Sequence, residues 1–592
     1  MHETYHPILK STFGFSEFRG VQPQVIDRVI QRLGTLAIMP TGAGKSLCYQ
    51  LPAVAVPGTV VVISPLIALM HDQLRSAQAV GIRAASLTSA DNNREETIDR
   101  FRSGELDLLY VAPERASNAS FRELLGNAKI SLFAIDEAHC VSEWGHDFRP
   151  DYRLLKPLLD AFPSVPRLAL TATADKNTRE DILLQLGIPD DGMIIAGFDR
   201  PNIRYNISAR AGLSAQLDQL VGRVTGAGII YAQTRSATEK IAARLVKNGR
   251  SARAYHAGLP PEERQKNQAD FVASEDMVMV ATIAFGMGID KPDVRFVAHA
   301  GLPKSIEAYY QETGRAGRDG DPAEAHMFWG AEDFAKARQR LNELDEDRVT
   351  QERERLATLG GLVESATCRR SILLRYFGET PPEGCGNCDN CLEAPATKDM
   401  TELARKFLSA VYRTGQSFGV AYLQSVLTGA SDEKILSRGH DLLSVYNIVS
   451  EEDAPLIKPV SRALMTRDAL RTTEHGGLMF GPAAKAILKG EVEVAIVEPP
   501  KRQAKKRRGD ASPNPVGNIL FDALRSLRME LAKGKGVPPY VIFHDSVLRD
   551  MTSAHPQSLD EMSQISGVGE RKLETYGEAF LAVVANHDMV AP

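Results

Sequence analysis

Leu36-Ala37-Ile38-Met39-Pro40-Thr41-Gly42-Ala43-Gly44-Lys45-Ser46-Leu47-Cys48-Tyr49-Gln50-Leu51 reads as a short apolar strand, a glycine-bearing loop and the first turns of a helix. In that order, glycines let backbone N–H groups turn toward phosphate oxygens, Lys45 can neutralise the β and γ oxygens, and Ser46 can ligate magnesium. Thr41, Gly42 and Gly44 complete the cradle. Met39 stands where the strict phosphate-loop pattern has its first glycine, so the match is to a relaxed form.

Working outward, the same strand-then-loop form recurs at Val60-Val61-Val62-Ile63, at Leu108-Leu109-Tyr110-Val111 and at Leu168-Ala169-Leu170, the last followed by Thr171-Ala172-Thr173. Short apolar strands alternating with helical segments indicate an α/β fold with a parallel sheet, whose ligands sit at the carboxyl ends of the strands. Leu132-Phe133-Ala134-Ile135 leads into Asp136-Glu137-Ala138-His139. With that geometry Asp136 holds the magnesium shell and Glu137 positions or deprotonates the attacking water. Two acids at a helix start are common in isolation; after a buried strand downstream of Lys45 they are not. The continuation, Cys140 to Pro150, carries Trp144, His146, Phe148 and Arg149, a surface suited to stacking on bases and holding phosphates.

A second α/β series follows at Gly228 to Tyr231, Ala254 to Gly258, Met277 to Thr282 and Val294 to His299. It has no second lysine-bearing phosphate loop, so it completes a site rather than owning one. Gln311-Glu312-Thr313-Gly314-Arg315-Ala316-Gly317-Arg318 offers two arginines flanked by glycines that permit close backbone approach to a polyphosphate.

The chain has 592 residues, 43% of them apolar, and a net charge of −5. That length suggests about four domains. The charge excludes a uniformly basic nucleic-acid binder but not local patches. No basic segment followed by an apolar core opens the chain, and the most apolar stretch, Ala53 to Met70, is broken by Pro57-Gly58 and Ser64-Pro65. A soluble, intracellular protein without a membrane span is expected. Cys368, Cys385, Cys388 and Cys391 can supply four thiolates to a closed tetrahedral zinc site, an iron–sulfur cluster being the alternative with the same ligands.

Phe15, Arg19 and Gln22 lie close together before an apolar-periodic helix. By themselves they fit a surface helix start as well as a purine site.

The motifs Gly42 to Ser46, Asp136 to His139 and Thr171 to Thr173 resemble those of superfamily 2 helicases, and the loop Ser142 to Pro150 narrows the resemblance to the RecQ DNA helicases. It implies two RecA-like parallel-sheet lobes (1–205 and 206–340), a helical zinc-binding subdomain (341–395), a winged helix (396–496), a basic linker (497–515) and a small all-helical C-terminal domain (516–592). It makes Phe15, Arg19 and Gln22 the adenine-recognition group and includes His139 with Lys45, Asp136 and Glu137 among the catalytic residues. Arg318 becomes an arginine finger with Arg315 its neighbour, and Asp290 a hydrogen-bonding partner at the lobe interface. Trp144, His146, Phe148 and Arg149 become the loop coupling DNA to ATP. ATP, Mg2+ and Zn2+ are the implied cofactors. The implied partners are single-stranded and duplex or junction DNA, with a single-strand-binding protein or other repair proteins, in a cytoplasmic, nucleoid-associated setting. Translocation would run 3′ to 5′. A DNA-binding scaffold switched by ATP and an RNA-remodelling enzyme are the rival readings. Arg571 and Lys572 are candidate single-strand contacts in the last domain.

Overall fold

In the computed structural model, residues 5–65, 67–88, 91, 93–116, 118–142, 148–285, 291–341, 346–473, 477–497 and 519–590 are described. The apolar runs of the first lobe become strands β1 (Thr35–Ile38), β2 (Thr59–Ile63), β3 (Ala84–Leu87), β4 (Leu108–Val111), β5 (Ile130–Ile135), β6 (Arg167–Thr171) and β7 (Met193–Ile195). They form one parallel sheet in the order β3-β4-β2-β5-β6-β1-β7. Helices cover both faces, so β1, β2, β4 and β5 are buried at every position, which is why they read as continuous apolar segments.

The second lobe comprises β8 (Ile203–Ala209), β9 (Ala227–Tyr231), β10 (Ala252–Tyr255), β11 (Val278–Ala281), β12 (Val294–His299) and β13 (Ala323–Trp329), parallel in the order β10-β11-β9-β12-β13-β8. Strand β8 pairs with β13 along all seven residues, so the division expected after residue 205 falls inside a strand of the second sheet.

Helix Arg369–Tyr376 bridges the lobes. Leu373 packs into the core of the second lobe, while Leu374 and Phe377 pack into that of the first. Beyond it, helices Thr401–Arg413, Val420–Leu427 and Ile457–Thr466 surround one core with the antiparallel pair Leu470–Thr472 and Leu478–Phe480. A further antiparallel pair, Thr397–Asp399 with Ala495–Val497, closes this unit and was not legible as strands in the sequence. The basic run Lys501 to Arg508 lies outside the described residues.

The C-terminal helices, from Ile519–Lys535 to Glu570–Val590, enclose their own core around Leu524, Phe543 and Phe580. On the first of them Leu520 and Leu524 are buried as its apolar spacing implies, but Ile519 is 74% exposed and Arg528 is buried instead. Arg528 donates to Phe543 O (2.8 Å) and pairs with Asp545 (2.6 Å) and, across to the second lobe, Glu275 (2.7 Å). Arg525 also pairs with Glu275, and Arg549 with Asp321. On the first lobe, Gly567 N donates to Gly14 O (2.7 Å); a Cβ on Gly14 would lie 2.5 Å from Gly569 N, so only glycine admits that approach. The C-terminal domain thus clasps both lobes.

Neutralising Glu275 (Glu275→Gln) leaves two interface guanidiniums short of a carboxylate, at a cost of about 1–3 kcal/mol. Amide hydrogen exchange along Ile519–Lys535 is expected to accelerate about tenfold or more; unchanged exchange would show that these ion pairs do not hold the domain.

Candidate active site and zinc centre

Strands β5, β6 and β1 are neighbours, so the segments that follow them emerge side by side at one edge of the sheet. The register sets Ile38 opposite Thr171 and Ile135 opposite Ala169, bringing the phosphate loop, Thr171-Ala172-Thr173 and Asp136-Glu137 into one cluster. In the loop, Gly42 and Gly44 have φ of +87° and +76°, which residues with a Cβ rarely adopt. Lys45 Nζ rests on Met39 O at 3.3 Å. Gln22 Nε2 donates to the carbonyls of Ala43 (3.0 Å) and Gly44 (3.1 Å), and its Oε1 accepts from Arg19 N (2.8 Å). The Arg19 guanidinium lies 5.8 Å from the Phe15 ring centre. Gln22 therefore braces the phosphate loop itself, a contact its sequence position did not suggest.

Asp136 is 9% exposed, and Lys45 lies close enough to influence its charge. Burial, reinforced by Glu137, pushes its carboxyl up to about 7, while Lys45 opposes the rise. Ser46, at the start of helix Leu47–Ala55, and Asp136 offer a hydroxyl and a carboxylate, oxygen donors of the kind magnesium takes. The Glu137 amide donates to Asp136 Oδ1 at 3.0 Å, and Glu137 Oε2 is buried without a hydrogen bond, 3.4 Å from His139 Nδ1. His139 is fully buried; its Nδ1 is 3.0 Å from Thr171 Oγ1, and that hydroxyl donates to Thr173 O at 3.1 Å. Since Thr171 spends its proton on Thr173, it accepts from His139, which assigns the proton to Nδ1. The imidazole thus ties the ends of β5 and β6 together.

From the second lobe, Gly314 packs against Thr41, and Arg318 against Gly42, where a Cβ would lie 3.4 Å from Arg318 Cα. Arg315 is buried within that lobe, both arginines lie close enough to Tyr231 to influence it, and it is the backbone and stem of Arg318 that face Gly42. Arg200 belongs to Phe198-Asp199-Arg200-Pro201-Asn202, which resembles the RecQ connector between lobes but carries no local sign of a role at the site. Its Nη1 donates to Thr41 O (2.6 Å) and Gly314 O (3.0 Å), and its Nη2 to Ala316 O and Gly317 O (both 2.9 Å). Asn202 Nδ2 adds bonds to Gly317 O and Asp321 O, both 2.8 Å.

The Sγ atoms of Cys368, Cys385, Cys388 and Cys391 lie within 4.8 Å of one another, with Cys368–Cys388 and Cys385–Cys391 at 3.9 Å. Tetrahedral Zn–S bonds of about 2.3 Å place sulfurs roughly 3.8 Å apart, so the four thiols fit a single zinc ion. Cys368 Sγ accepts from Ser371 N, and this with other donors holds its thiol down to about 6 against the effect of burial. Asp389, inside the cysteine knuckle, accepts from Ile207 N of β8 (2.9 Å) and pairs with Arg369 (3.1 Å).

Family models match in the same order along the chain: DEAD/DEAH box helicase at 19–182, Helicase conserved C-terminal domain at 204–320, RecQ zinc-binding at 331–392, RQC domain at 394–505 and HRDC domain at 518–584. Over 98% of its length the chain is 43% identical to the ATP-dependent DNA helicase RecQ of Haemophilus influenzae, covering 96% of that protein. The chain belongs to the RecQ helicase family. The RecQ proteins of Pasteurella multocida (42% identity, 100% of this chain, 95% of the relative) and Bacillus subtilis (38%, 97% and 97%) agree.

Of the aromatic loop expected for a RecQ protein, Trp144 and His146 lie outside the described residues, as does Asp290. Phe148 and Arg149 are described. Arg149 N donates to Cys140 O (2.9 Å), Arg149 Nη1 to Pro65 O (3.0 Å), and the Arg153 guanidinium lies 5.5 Å from the Phe148 ring centre. In the HRDC domain, Arg571 is exposed with its Nη1 reaching Gln78 O of the first lobe (3.5 Å), and Lys572 Nζ sits 5.8 Å from the Phe543 ring, its pKa lowered to about 8 by burial. Among the described residues no helix is long and apolar enough to cross a membrane.

Two outcomes follow. Asp136 has a folded pKa above its ordinary value, so its contribution to stability is present in acid and lost as pH rises through about 7. Magnesium needs the carboxylate, so the rise in melting temperature produced by Mg2+ with a non-hydrolysable ATP analogue should be larger at pH 8 than at pH 6, and Asp136→Asn should remove that difference. Cys388→Ala should reduce bound zinc below one per chain and lower the melting temperature, since zinc binding of about 10–16 kcal/mol supports folding of such modules; full zinc content in that variant would refute the ligand set.

Proposed function

We propose that the chain hydrolyses ATP between its two lobes and uses the cycle to advance along one DNA strand and separate the duplex, as the names of its RecQ relatives state for them. The observation that carries this reading is the meeting of both lobes at the phosphate loop, with Arg318 against Gly42 and Arg200 joining Thr41 to Gly314, Ala316 and Gly317. In this reading Ser46 and Asp136 would hold magnesium, which would supply positive charge against the phosphate oxygens. Lys45 and Arg318 balance the phosphates from opposite lobes, Glu137 orients the attacking water, and His139 fixes Glu137 relative to Thr171. Phe15, Arg19 and Gln22 recognise the base, and Asp290 acts at the lobe interface.

Trp144, His146, Phe148 and Arg149 carry the coupling to DNA. Opening a duplex step costs about 1.4 kcal/mol, and an aromatic–base stack returns about 1–3 kcal/mol, so trapping a melted base on the loop is affordable. Stacking supplies no direction; the ATP cycle does, and family analogy makes it 3′ to 5′. Junction DNA, a single-strand-binding protein and a cytoplasmic, nucleoid-associated setting belong to the same proposal.

Single-stranded DNA is expected to raise ATP turnover about tenfold or more. Lys45→Ala should cut turnover by about 10² or more while DNA binding persists, and Trp144→Ala should bind DNA yet lose the stimulation. Turnover indifferent to any nucleic acid would end the motor reading, and stronger stimulation by RNA than by DNA would favour an RNA-remodelling enzyme.

A further inference from the structure

Glu137 occupies the left-handed backbone region, φ +48° and ψ +46°, which a residue carrying a Cβ rarely enters. Among the described residues it is the one non-glycine of this kind at the ATP site. Its conformation depends on the orientation of the Asp136–Glu137 peptide, because φ of Glu137 is rotation about one end of that unit. The peptide is gripped on both sides. Its N–H donates to Asp136 Oδ1 (3.0 Å), and its carbonyl accepts from the Tyr152 hydroxyl at 2.9 Å.

Tyr152 is fully buried, and burial with the nearby Cys140, Asp136 and Glu137 charges raises its phenol well above the ordinary value, so the hydroxyl remains a donor. It belongs to the short helix Pro150–Arg153 that closes the aromatic loop. Tyr152 N bonds to Arg149 O (3.0 Å), Arg149 N to Cys140 O (2.9 Å) and Arg149 Nη1 to Pro65 O (3.0 Å). Its neighbour Arg153 lies over the Phe148 ring. A displacement of Phe148 or Arg149 therefore reaches the Tyr152 hydroxyl through one turn of helix.

We infer that Tyr152 is a positioning residue whose hydroxyl holds the Asp136–Glu137 peptide in its left-handed state and ties that state to the loop-closing segment at Phe148 and Arg149. Releasing the bond lets the peptide rotate, returns Glu137 to ordinary backbone geometry and swings its carboxylate away from His139. The backbone thus has two arrangements, and Tyr152 selects between them; no proton is transferred. The inference rests on the proposed coupling of the aromatic loop to ATP turnover.

Tyr152→Phe keeps the ring and removes only the hydroxyl. The expected result is a fall of about tenfold or more in DNA-stimulated kcat, with KM for ATP, affinity for a single-stranded oligonucleotide and melting temperature within about twofold or a few degrees of the parent. Hydrogen exchange at the Glu137 amide should accelerate in the same variant. Equal loss of folding stability, nucleotide affinity and turnover would reduce Tyr152 to a packing residue and overturn the inference. Trp144→Ala separates the two levels. If Trp144→Ala loses stimulation and Tyr152→Phe keeps it, the inference fails while the loop coupling stands; if Trp144→Ala keeps full stimulation, the loop coupling itself fails and takes the inference with it.

Discussion

One guanidinium donates to four backbone carbonyl oxygens, those of Thr41, Gly314, Ala316 and Gly317, and the rest of the cleft depends on it. Arg200 lies in the connector between the lobes, yet it fastens the phosphate loop of one to the arginine-bearing loop of the other. Bonds from a charged donor contribute about 1.5–3 kcal/mol each. They also fix geometry, because a planar fork cannot satisfy four acceptors in more than one arrangement. With those carbonyls held, Arg318 has its place at Gly42 and the ends of β5, β6 and β1 face a defined partner.

The zinc module serves the same connector from behind. Arg370 Nη2 donates to Pro201 O (3.0 Å) and Ile203 O (3.2 Å), Glu379 accepts from Phe198 N, and Phe377 stacks on Phe198 with ring centres 4.6 Å apart. Asp389 holds β8 through Ile207 N. The module thereby braces the segment that carries Arg200. Its four thiols supply what a module of that size cannot obtain from an apolar core.

The strands that position the ATP motifs were legible because burial on both faces leaves an unbroken apolar signature. The strands missed lack that signature. Strand β8, at the sheet edge, alternates buried residues with more exposed ones, and β13 beside it alternates over Ala323 to His326 before its buried end, so Ile203 to Ala209 and the start of β13 look like ordinary surface-facing chain. The motif residues of the site were legible by type and spacing. Arg200 and Tyr152 were not: each acts on backbone carbonyls distant in sequence, and no local pattern distinguishes such an arginine or tyrosine from one in solvent or core. Arg571 and Lys572 carry no local signal of their surroundings either: Arg571 reaches Gln78 O of the first lobe while staying exposed, and Lys572 lies beside the Phe543 ring.

The bonds around the phosphate loop also indicate what a cycle must change. Lys45 rests on Met39 O and Gln22 on the Ala43 and Gly44 carbonyls, so the loop is already shaped, and a triphosphate exchanges partners instead of building the geometry. Charged donors bind phosphate oxygens more strongly than neutral carbonyls, which favours that exchange. Arg200 differs, because three of its four acceptors belong to the second lobe and travel with it. Separating the lobes there breaks the bond to Thr41 and leaves the others intact, a cost of about 1.5–3 kcal/mol. Opening one duplex step costs about 1.4 kcal/mol. The two are of one scale, so the Arg200–Thr41 bond is firm enough to hold its arrangement and weak enough to be exchanged.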